Sequence, residues 1–448
     1  MRAGDYVNID VLDNDTHPDG LELTLDEELE QSVDPAQGDL FVSEDRLRFR
    51  AGSMPGTAYA IYKVRDPNGQ EDSAQVTIHV RGGKDSTAPV PRDVDARTLA
   101  GGTVRIPVPL DGIDPDGDSV QLTGLATGPA QGRAEVVDGY VDYEASEDAR
   151  GLDTFRYTVQ DARGEVATGV IRVGIAQPPE TNQPPVAADD EITVRPERRV
   201  AVPALANDAD PDGDVIGLVP GAVEGGEDLK AKVADDRIVV RTPADEGTYT
   251  FFYAIEDTYA ARGSAAVSVT VAKDAPLQRP VARDDSVPVA DLLGKTTVTV
   301  PVLDNDEDPD GAADDLEVAV DADVASAGVT VTADGALEVP LTRSRQVITY
   351  TVTDVDGLTA KAFVVVPGME STKPILKPGQ APLEVVSGET LDVDITDHVL
   401  VVEGRTPRLT TEDQVTATEG AAKVTGETTM TFTPVSYTHL TLPTILLV

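Results

Sequence analysis

Asn207-Asp208-Ala209-Asp210-Pro211-Asp212-Gly213-Asp214 lies between two apolar runs, Val200 to Leu205 and Val215 to Val219. Within it, Asp210-Pro211-Asp212-Gly213 has the composition of a type I turn: Asp at the first position, Pro fixing φ at the second, Gly at the fourth. Asp208, Asp210, Asp212 and Asp214 alternate along the stretch, so their carboxylates crowd together. Like charges about 4 Å apart repel by roughly 1 kcal/mol in water, and by more where water is partly excluded. A turn alone explains the Pro and the Gly. A hard divalent cation with oxygen ligands, calcium being the usual one, explains the acids as well.

The stretch recurs as His17-Pro18-Asp19-Gly20, Asp114-Pro115-Asp116-Gly117 and Asp308-Pro309-Asp310-Gly311. Pro18, Pro115, Pro211 and Pro309 stand 97, 96 and 98 residues apart. That period is longer than a solenoid repeat and matches one small β-sandwich per copy. Pro-rich linkers open the copies at Thr87-Ala88-Pro89, Gln183-Pro184-Pro185, Arg279-Pro280 and Lys373-Pro374. The expected units are 1–84, which enters directly on a strand and lacks its first one, then 85–180, 181–276 and 277–371. An incomplete fifth unit covers 372–434.

Alternation of apolar and polar residues marks strands with one buried face. Val104, Ile106 and Val108 line one strand of the second repeat. Its closing hairpin sets Phe155, Tyr157 and Val159 against Ile171, Val173 and Ile175, around Asp161 and Gly164. The third repeat does the same with Phe251, Tyr253 and Ile255 against Val267, Val269 and Val271, around Asp257, and the fourth turns at Asp354-Val355-Asp356-Gly357. Tyr62, Tyr157, Tyr253 and Tyr350 each precede the hairpin aspartate by four residues. They form a column of core residues whose hydroxyls reach the rim. No segment carries sustained helical periodicity between caps, so the chain is all-β. The fifth repeat keeps the alternation of Leu391, Val393 and Ile395 but has Thr396-Asp397-His398-Val399 in place of the acidic turn.

The chain has 448 residues, no Cys, no Trp and a formal net charge of −44. A disulfide framework and a zinc–cysteine site are excluded. The charge argues against nucleic acid and anionic lipid as partners, and no apolar run is long enough to span a membrane. Val435-Ser436-Tyr437-Thr438-His439-Leu440-Thr441-Leu442-Pro443-Thr444 departs in style from the rest. It resembles a translated sequencing adapter, so 435–448 are set aside from fold reasoning.

Pro-x-Ala-x-Asp-Asp, then Val-Leu-x-Asn-Asp-x-Asp-Pro-Asp-Gly, then Tyr-x-Val-x-Asp-x-x-Gly resembles the cadherin-like and Ig-like tandem repeats of large bacterial surface proteins and adhesins, VCBS-type and RTX-adhesin-like repeats among them. The resemblance implies tandem β-sandwiches in a linear array, export, an extracellular or cell-surface location, and calcium. In such a sandwich the start of the first strand, the B–C loop and the F–G loop share one pole. This gathers Asp189, Asp190, Asp208, Asp210, Asp212, Asp214 and Asp257 in the third repeat. Asp284, Asp285, Asp306, Asp308, Asp310 and Asp354 gather in the fourth, and Asp114, Asp116 and Asp118 in the second. The second repeat departs from the pattern with Gly112 where the later ones have Asp208 and Asp306, and the first has His17 where the others have Asp. Ions at these poles would stiffen the joints with neighbouring repeats of the same chain.

Asp306, Asp308, Asp310, Gly311 and Glu317 also fit the spacing of an EF-hand loop, but strand-like flanks and Pro309 argue against one. The four histidines are His17 and His79 in the first repeat, His398 in the fifth and His439 in the tail, and no catalytic constellation is apparent. The expected function is therefore a non-catalytic structural or adhesive stalk, with host-cell, matrix or biofilm surface ligands as outside partners. The alternative is a carbohydrate- or protein-binding module, which would call for exposed aromatic side chains on one repeat.

Overall fold

A computed structural model describes residues 1–434 apart from 83–85, 138, 179–180, 235, 370–373, 378–382, 384, 387, 403, 410–414, 416 and 418–419. The tail 435–448 and Lys373 of the fifth linker lie outside the described residues. The chain divides into two compact units. The first comprises Met1–Ser286, Thr299–Val339 and Gln346–Val365, and the second Val287–Val298, Pro340–Arg345 and Val366–Val448.

In the second repeat, Val94–Leu99, Val166–Ala176, Gly151–Asp161 and Val120–Thr127 form a four-stranded sheet in that order. Val94–Leu99 runs parallel to Val166–Ala176, and the other neighbours are antiparallel. Gly132–Val137, Tyr140–Ala145 and Thr103–Pro107 form the facing three-stranded sheet. The alternating residues meet between the sheets: Ile106, Val141 and Tyr143 from one side, Phe155, Tyr157, Val159, Ile171 and Val173 from the other, all nearly inaccessible. Burial of this size, at roughly 25 cal/mol per Å² of apolar surface, drives each sandwich to close.

The third repeat repeats the plan. Asp190–Val194, Arg262–Val271, Gly247–Glu256 and Gly217–Leu218 face Arg199–Val202, Arg237–Arg241 and Lys232–Ala234. In the fourth, the four-stranded sheet is Asp285–Ser286, Thr359–Val366, Gln346–Thr353 and Glu317–Val320. In the first, the corresponding sheet has three strands, Thr24–Leu25, Gly56–Arg65 and Glu71–Val80, opposite Tyr6–Ile9, Arg46–Ala51 and Gly38–Ser43. Among the described residues the helices are single turns, the longest being Ala322–Ser326. In the second unit, Leu391–Asp394, Thr429–Thr433 and Ala421–Val424 form one sheet. The Asp394 side chain there accepts from Thr396 N at 3.0 Å and caps the turn Ile395–His398 that replaces the acidic loop.

The register explains why a tyrosine suits the column. Tyr62 lies opposite Ala74, Tyr157 opposite Gly169 and Tyr253 opposite Ala265. Each ring covers a small residue on the neighbouring strand. At Gly169 a Cβ would stand 2.3 Å from the Tyr157 ring, so only glycine fits beneath it. Within the first unit, repeats one and four also touch. Arg48 pairs with Asp284 and lies 4.6 Å from the centre of the Phe363 ring, which also meets Tyr6 at 5.0 Å.

The hairpin turns end on a residue with positive φ. Gly69, Gly164 and Gly357 take φ of 80°, 94° and 84°, but the third repeat places Ala260 there at 66°. A non-glycine residue in this region is strained by roughly 1–2 kcal/mol, partly offset by the flexibility glycine adds to the unfolded chain. Ala260→Gly is expected to leave the third repeat unchanged or to stabilise it by about 1 kcal/mol. Chemical denaturation followed by amide exchange in Gly247–Glu256 checks this, and a clear loss of stability would refute it.

Candidate metal centre

The second and third repeats build their acidic pole from two turns of the same kind, and the first and fourth share the hairpin member of the pair. In the hairpin turn an aspartate folds the chain around its own carboxylate. Asp66 Oδ1 accepts from the amides of Asn68 and Gln70 at 2.8 and 2.8 Å, and Asp161 Oδ1 from those of Arg163 and Glu165 at 2.8 and 2.8 Å. Asp257 and Asp354 do the same two and four residues on. The B–C turn uses the same device: Asp114 Oδ1 accepts from Asp116 N at 2.9 Å and Asp118 N at 3.0 Å, and Asp210 Oδ1 from Asp212 N at 2.8 Å and Asp214 N at 3.3 Å. These are Asx-turns, in which the side chain supplies an acceptor that the backbone lacks.

Asp66, Asp161 and Asp257 spend the second oxygen on the side chains of Asn68 and Gln70, of Ser86 and of Asn182, whereas at the B–C turns and at the fourth repeat's hairpin an oxygen is left over. Asp114 Oδ2, Asp210 Oδ2, Asp308 Oδ1 and Asp354 Oδ2 are buried and accept no hydrogen bond, as are Asp118 Oδ1 and Asp190 Oδ2. A buried anionic oxygen without a partner is costly. Oxygens of this type suit a hard cation such as calcium, so the residues present fit that ion. Asp210, Asp212 and Asp214 bring one oxygen each within 4.8 Å of one another, the single such group among the described residues.

The electrostatics agree. Burial pushes the Asp214 carboxyl up, with the charges of Asp210, Asp257 and Asp212 adding to it. Asp114 is raised by burial against its two backbone hydrogen bonds, with Asp161 and Asp116 as repelling neighbours. Burial and the charges of Asp310 and Asp354 push Asp308 up to about 7.

A second acidic group lies under the tyrosine column. The single turns Val11–Asn14 and Ala204–Asn207 end on Asp15 and Asp208, whose carboxylates accept from the Tyr62 hydroxyl at 3.0 Å and the Tyr253 hydroxyl at 3.1 Å. Tyr350 likewise donates to Asp306 at 3.1 Å. Where the second repeat has Gly112, the Tyr157 hydroxyl turns to the Arg92 carbonyl. Burial raises Tyr62 to about 12 and raises Tyr253 and Tyr350 further, the nearby carboxylates adding to it, so all three stay protonated donors. Asp190 is raised by burial and by Asp208 and Asp189. Burial takes Asp306 to about 7 against its hydrogen bonds to Arg283 and Tyr350.

The expected residues thus divide. Asp114, Asp118, Asp210, Asp308 and Asp354 present spare buried oxygens, and Asp212 and Asp214 join Asp210. Asp190, Asp208, Asp285 and Asp306 belong to the tyrosine group, where the charges of Asp285 and Asp306 both bear on Tyr350. Asp189 and Asp284 spend Oδ1 on the amides of Ala266 and Phe363, at 2.9 and 2.8 Å. Asp116, Asp212 and Asp310 hold the linkers, accepting from the amides of Thr87 at 2.7 Å, Gln183 at 2.5 Å and Gln278 at 3.2 Å. Asp257 accepts from the Asn182 side chain at 2.8 Å. Asp161 is a participant that the sequence reading left out of the site, although its offset from Tyr157 marks it. The EF-hand spacing has no matching structure, because Glu317 opens an exposed strand end rather than a helix.

In the first repeat an imidazole stands where the second, third and fourth face acid with acid. His17 Nδ1 accepts from Asp19 N at 3.1 Å, imitating the turn aspartate, and its Nε2 lies 3.4 Å from Asp66 Oδ2.

The bacterial Ig domain family matches residues 1–79, 86–174, 182–270 and 275–367, and the chain belongs to that family. No curated protein matches it in sequence. Similar solved structures include the human desmocollin-1 ectodomain, at 14% identity over 78% of this chain and 73% of that one, with a TM-score of 0.18. The four N-terminal Ig domains of a Dscam1 isoform match at 11% identity over 79% and 92%, with a TM-score of 0.25. An endo-fucoidan hydrolase of glycoside hydrolase family 107 matches at 14% identity over 61% of this chain and 42% of that one, with a TM-score of 0.23. These TM-scores are too low to bear on the arrangement of the repeats or on function. Among the described residues no helix is long and apolar enough to cross a membrane.

Asp306 and Asp308 both titrate near 7 in the folded chain, against an ordinary value of 3.8. Without metal, the folded form holds protons that the unfolded chain releases from about pH 4 upward. The stability of the fourth repeat should therefore fall as pH rises from about 4 to 7 and level off above that. Amide exchange in Gln346–Thr353, measured in chelator at pH 5 and pH 8, should be more protected at pH 5. Calcium, held through Asp308, should narrow the difference, and equal or greater protection at pH 8 in chelator would rule the effect out.

Proposed function

We propose that the chain is a non-catalytic structural or adhesive stalk segment of a secreted or cell-surface bacterial protein, with calcium stiffening the joints between repeats. The observation that carries this reading is the repetition of one device. Two Asx-turns share one end of the sandwich in the second and third repeats, the B–C turn aspartate keeps a buried oxygen without a hydrogen bond in the second, third and fourth, and the middle aspartate of each of these B–C turns holds the incoming linker. A site copied from repeat to repeat at a joint serves the joint. A catalytic centre would be needed once.

In the third repeat Asp210, Asp212, Asp214 and Asp257 would hold the ion, and in the fourth Asp308, Asp310 and Asp354. Bound calcium would neutralise carboxylates that now repel one another and fix turn and linker together. Exposed aromatic residues are spread over repeats, Tyr59 in the first, Tyr140 in the second and Phe252 and Tyr259 in the third. They do not favour a carbohydrate-reading face on one repeat, although a protein ligand on the exposed sheets is compatible with the stalk.

Calcium that binds only the folded form raises stability by about 2.7 kcal/mol at a hundredfold excess over its dissociation constant. The full chain should therefore melt higher in calcium than in chelator. Asp210→Ala combined with Asp212→Ala should abolish that response in the third repeat while its sandwich stays folded by circular dichroism. No calcium-dependent change in melting, and no change in maximum dimension by small-angle scattering, would leave the acidic turns as turns alone.

A further inference from the structure

The corner of each sandwich that faces the next acidic pole carries a different residue in different repeats. Arg2-Ala3-Gly4 in the first repeat and Leu99-Ala100-Gly101 in the second are the same corner, with Gly4 and Gly101 at φ of 78° and 75°. Leu99 lies over the third repeat's turn, its Cδ1 3.7 Å from where a Cβ on Gly213 would stand. No ion pair reaches Asp210, Asp212 or Asp214 among the described residues, and their oxygens converge. At the preceding joint the corner is Arg2. Its Nε donates to Asp118 Oδ2 at 2.7 Å, and its guanidinium lies 3.6 Å from Asp116 Oδ2. Arg2 and Asp118 are 7% and 5% exposed, so the pair is buried in the joint. Beside it Asp5 of the first repeat accepts from Ser119 N at 2.7 Å and from the Ser119 hydroxyl at 2.5 Å. The carboxylates of Asp114, Asp116 and Asp118 do not form a converged group like that of the third repeat.

We infer that Arg2 is the cation of the joint between repeats one and two: its guanidinium occupies the acidic pole of the second repeat in place of a divalent metal. This rests on the calcium reading of the third repeat for its contrast. A guanidinium forks two carboxylates with fixed geometry and never loses its proton, so it neutralises the pole permanently. The joint between repeats one and two is then locked whatever the calcium level, and the joint between repeats two and three is locked only when calcium is present. When Arg2 is removed, Asp114 Oδ2 and Asp118 Oδ1, already without hydrogen-bond partners, become available to an ion together with the freed Asp116 and Asp118 oxygens.

The test is amide exchange on the full chain, as wild type, Arg2→Gln and Arg2→Lys, each in calcium and in chelator. The reporters are Thr87 and Ser119, whose amides bond to Asp116 and Asp5, and Gln183, whose amide bonds to Asp212. In the wild type, Thr87 and Ser119 should exchange equally slowly with and without calcium, whereas Gln183 should slow when calcium is added. In chelator, Arg2→Gln should speed Thr87 and Ser119 by about tenfold or more, with Arg2→Lys in between. Calcium should restore slow exchange in Arg2→Gln. The inference is overturned if wild-type Thr87 and Ser119 respond to calcium, if Arg2→Gln leaves them unchanged in chelator, or if calcium fails to rescue that variant while Gln183 responds. Silence at Gln183 in every sample overturns the calcium reading instead, and the chelator arm still decides the role of Arg2.

Discussion

A carboxylate has two oxygens, and in this chain a buried turn needs only one of them. Asp114, Asp210 and Asp354 each spend Oδ1 on two backbone amides and thereby fix the loop. The same bonds hold the second oxygen in place, buried and without a donor. Because the sandwich brings the B–C and F–G turns to one pole, these leftover oxygens meet the charge of another aspartate. The strands, the column of tyrosines and the linkers all bear on how close that approach becomes.

The repeats answer the resulting repulsion in different ways. The first sets His17 against Asp66. The second receives Arg2 from its neighbour. The third has three converging carboxylates, and the fourth holds its proton to about pH 7 at Asp308. A hydrogen-bonding imidazole, a guanidinium and a proton are three answers to carboxylate charge at one position of one scaffold, and under the proposed function a metal ion would be a fourth. Under the proposed function, variation at a single corner or turn residue would change how a joint responds to its surroundings without changing the sandwich, whose core of alternating Val, Ile, Phe and Tyr lies between the sheets.

The tyrosine column links that core to the rim. Tyr253 is buried against strand and core, yet its hydroxyl reaches Asp208 and the Ala188 carbonyl, so the ring fixes where the end of a single helical turn and the start of the first strand sit. The second repeat lacks the aspartate and keeps the tyrosine, whose hydroxyl accordingly goes to backbone at Arg92. Packing therefore explains the tyrosine in each of the first four repeats, and the acid beneath it is the variable partner.

Strands, turns and period were legible in the sequence because they rest on local rules: alternation of side chains across a pleat, and the φ preferences of Pro and Gly. Four matches to one domain family along the chain agree with that reading. Which acids come together was legible only in part. Asp210, Asp212 and Asp214 are neighbours in sequence, and the turn alone brings them close. The approach of Asp161 to Asp114, the diversion of Asp189 and Asp284 to strand amides, and the entry of Arg2 into the next repeat depend on loops and repeats that meet only after folding. Arg2 and Asp118 are separated by a whole sandwich of chain, and no local pattern connects them. Charge pairing across a joint is decided by tertiary structure, because it depends on which surfaces the closed sandwiches present to each other.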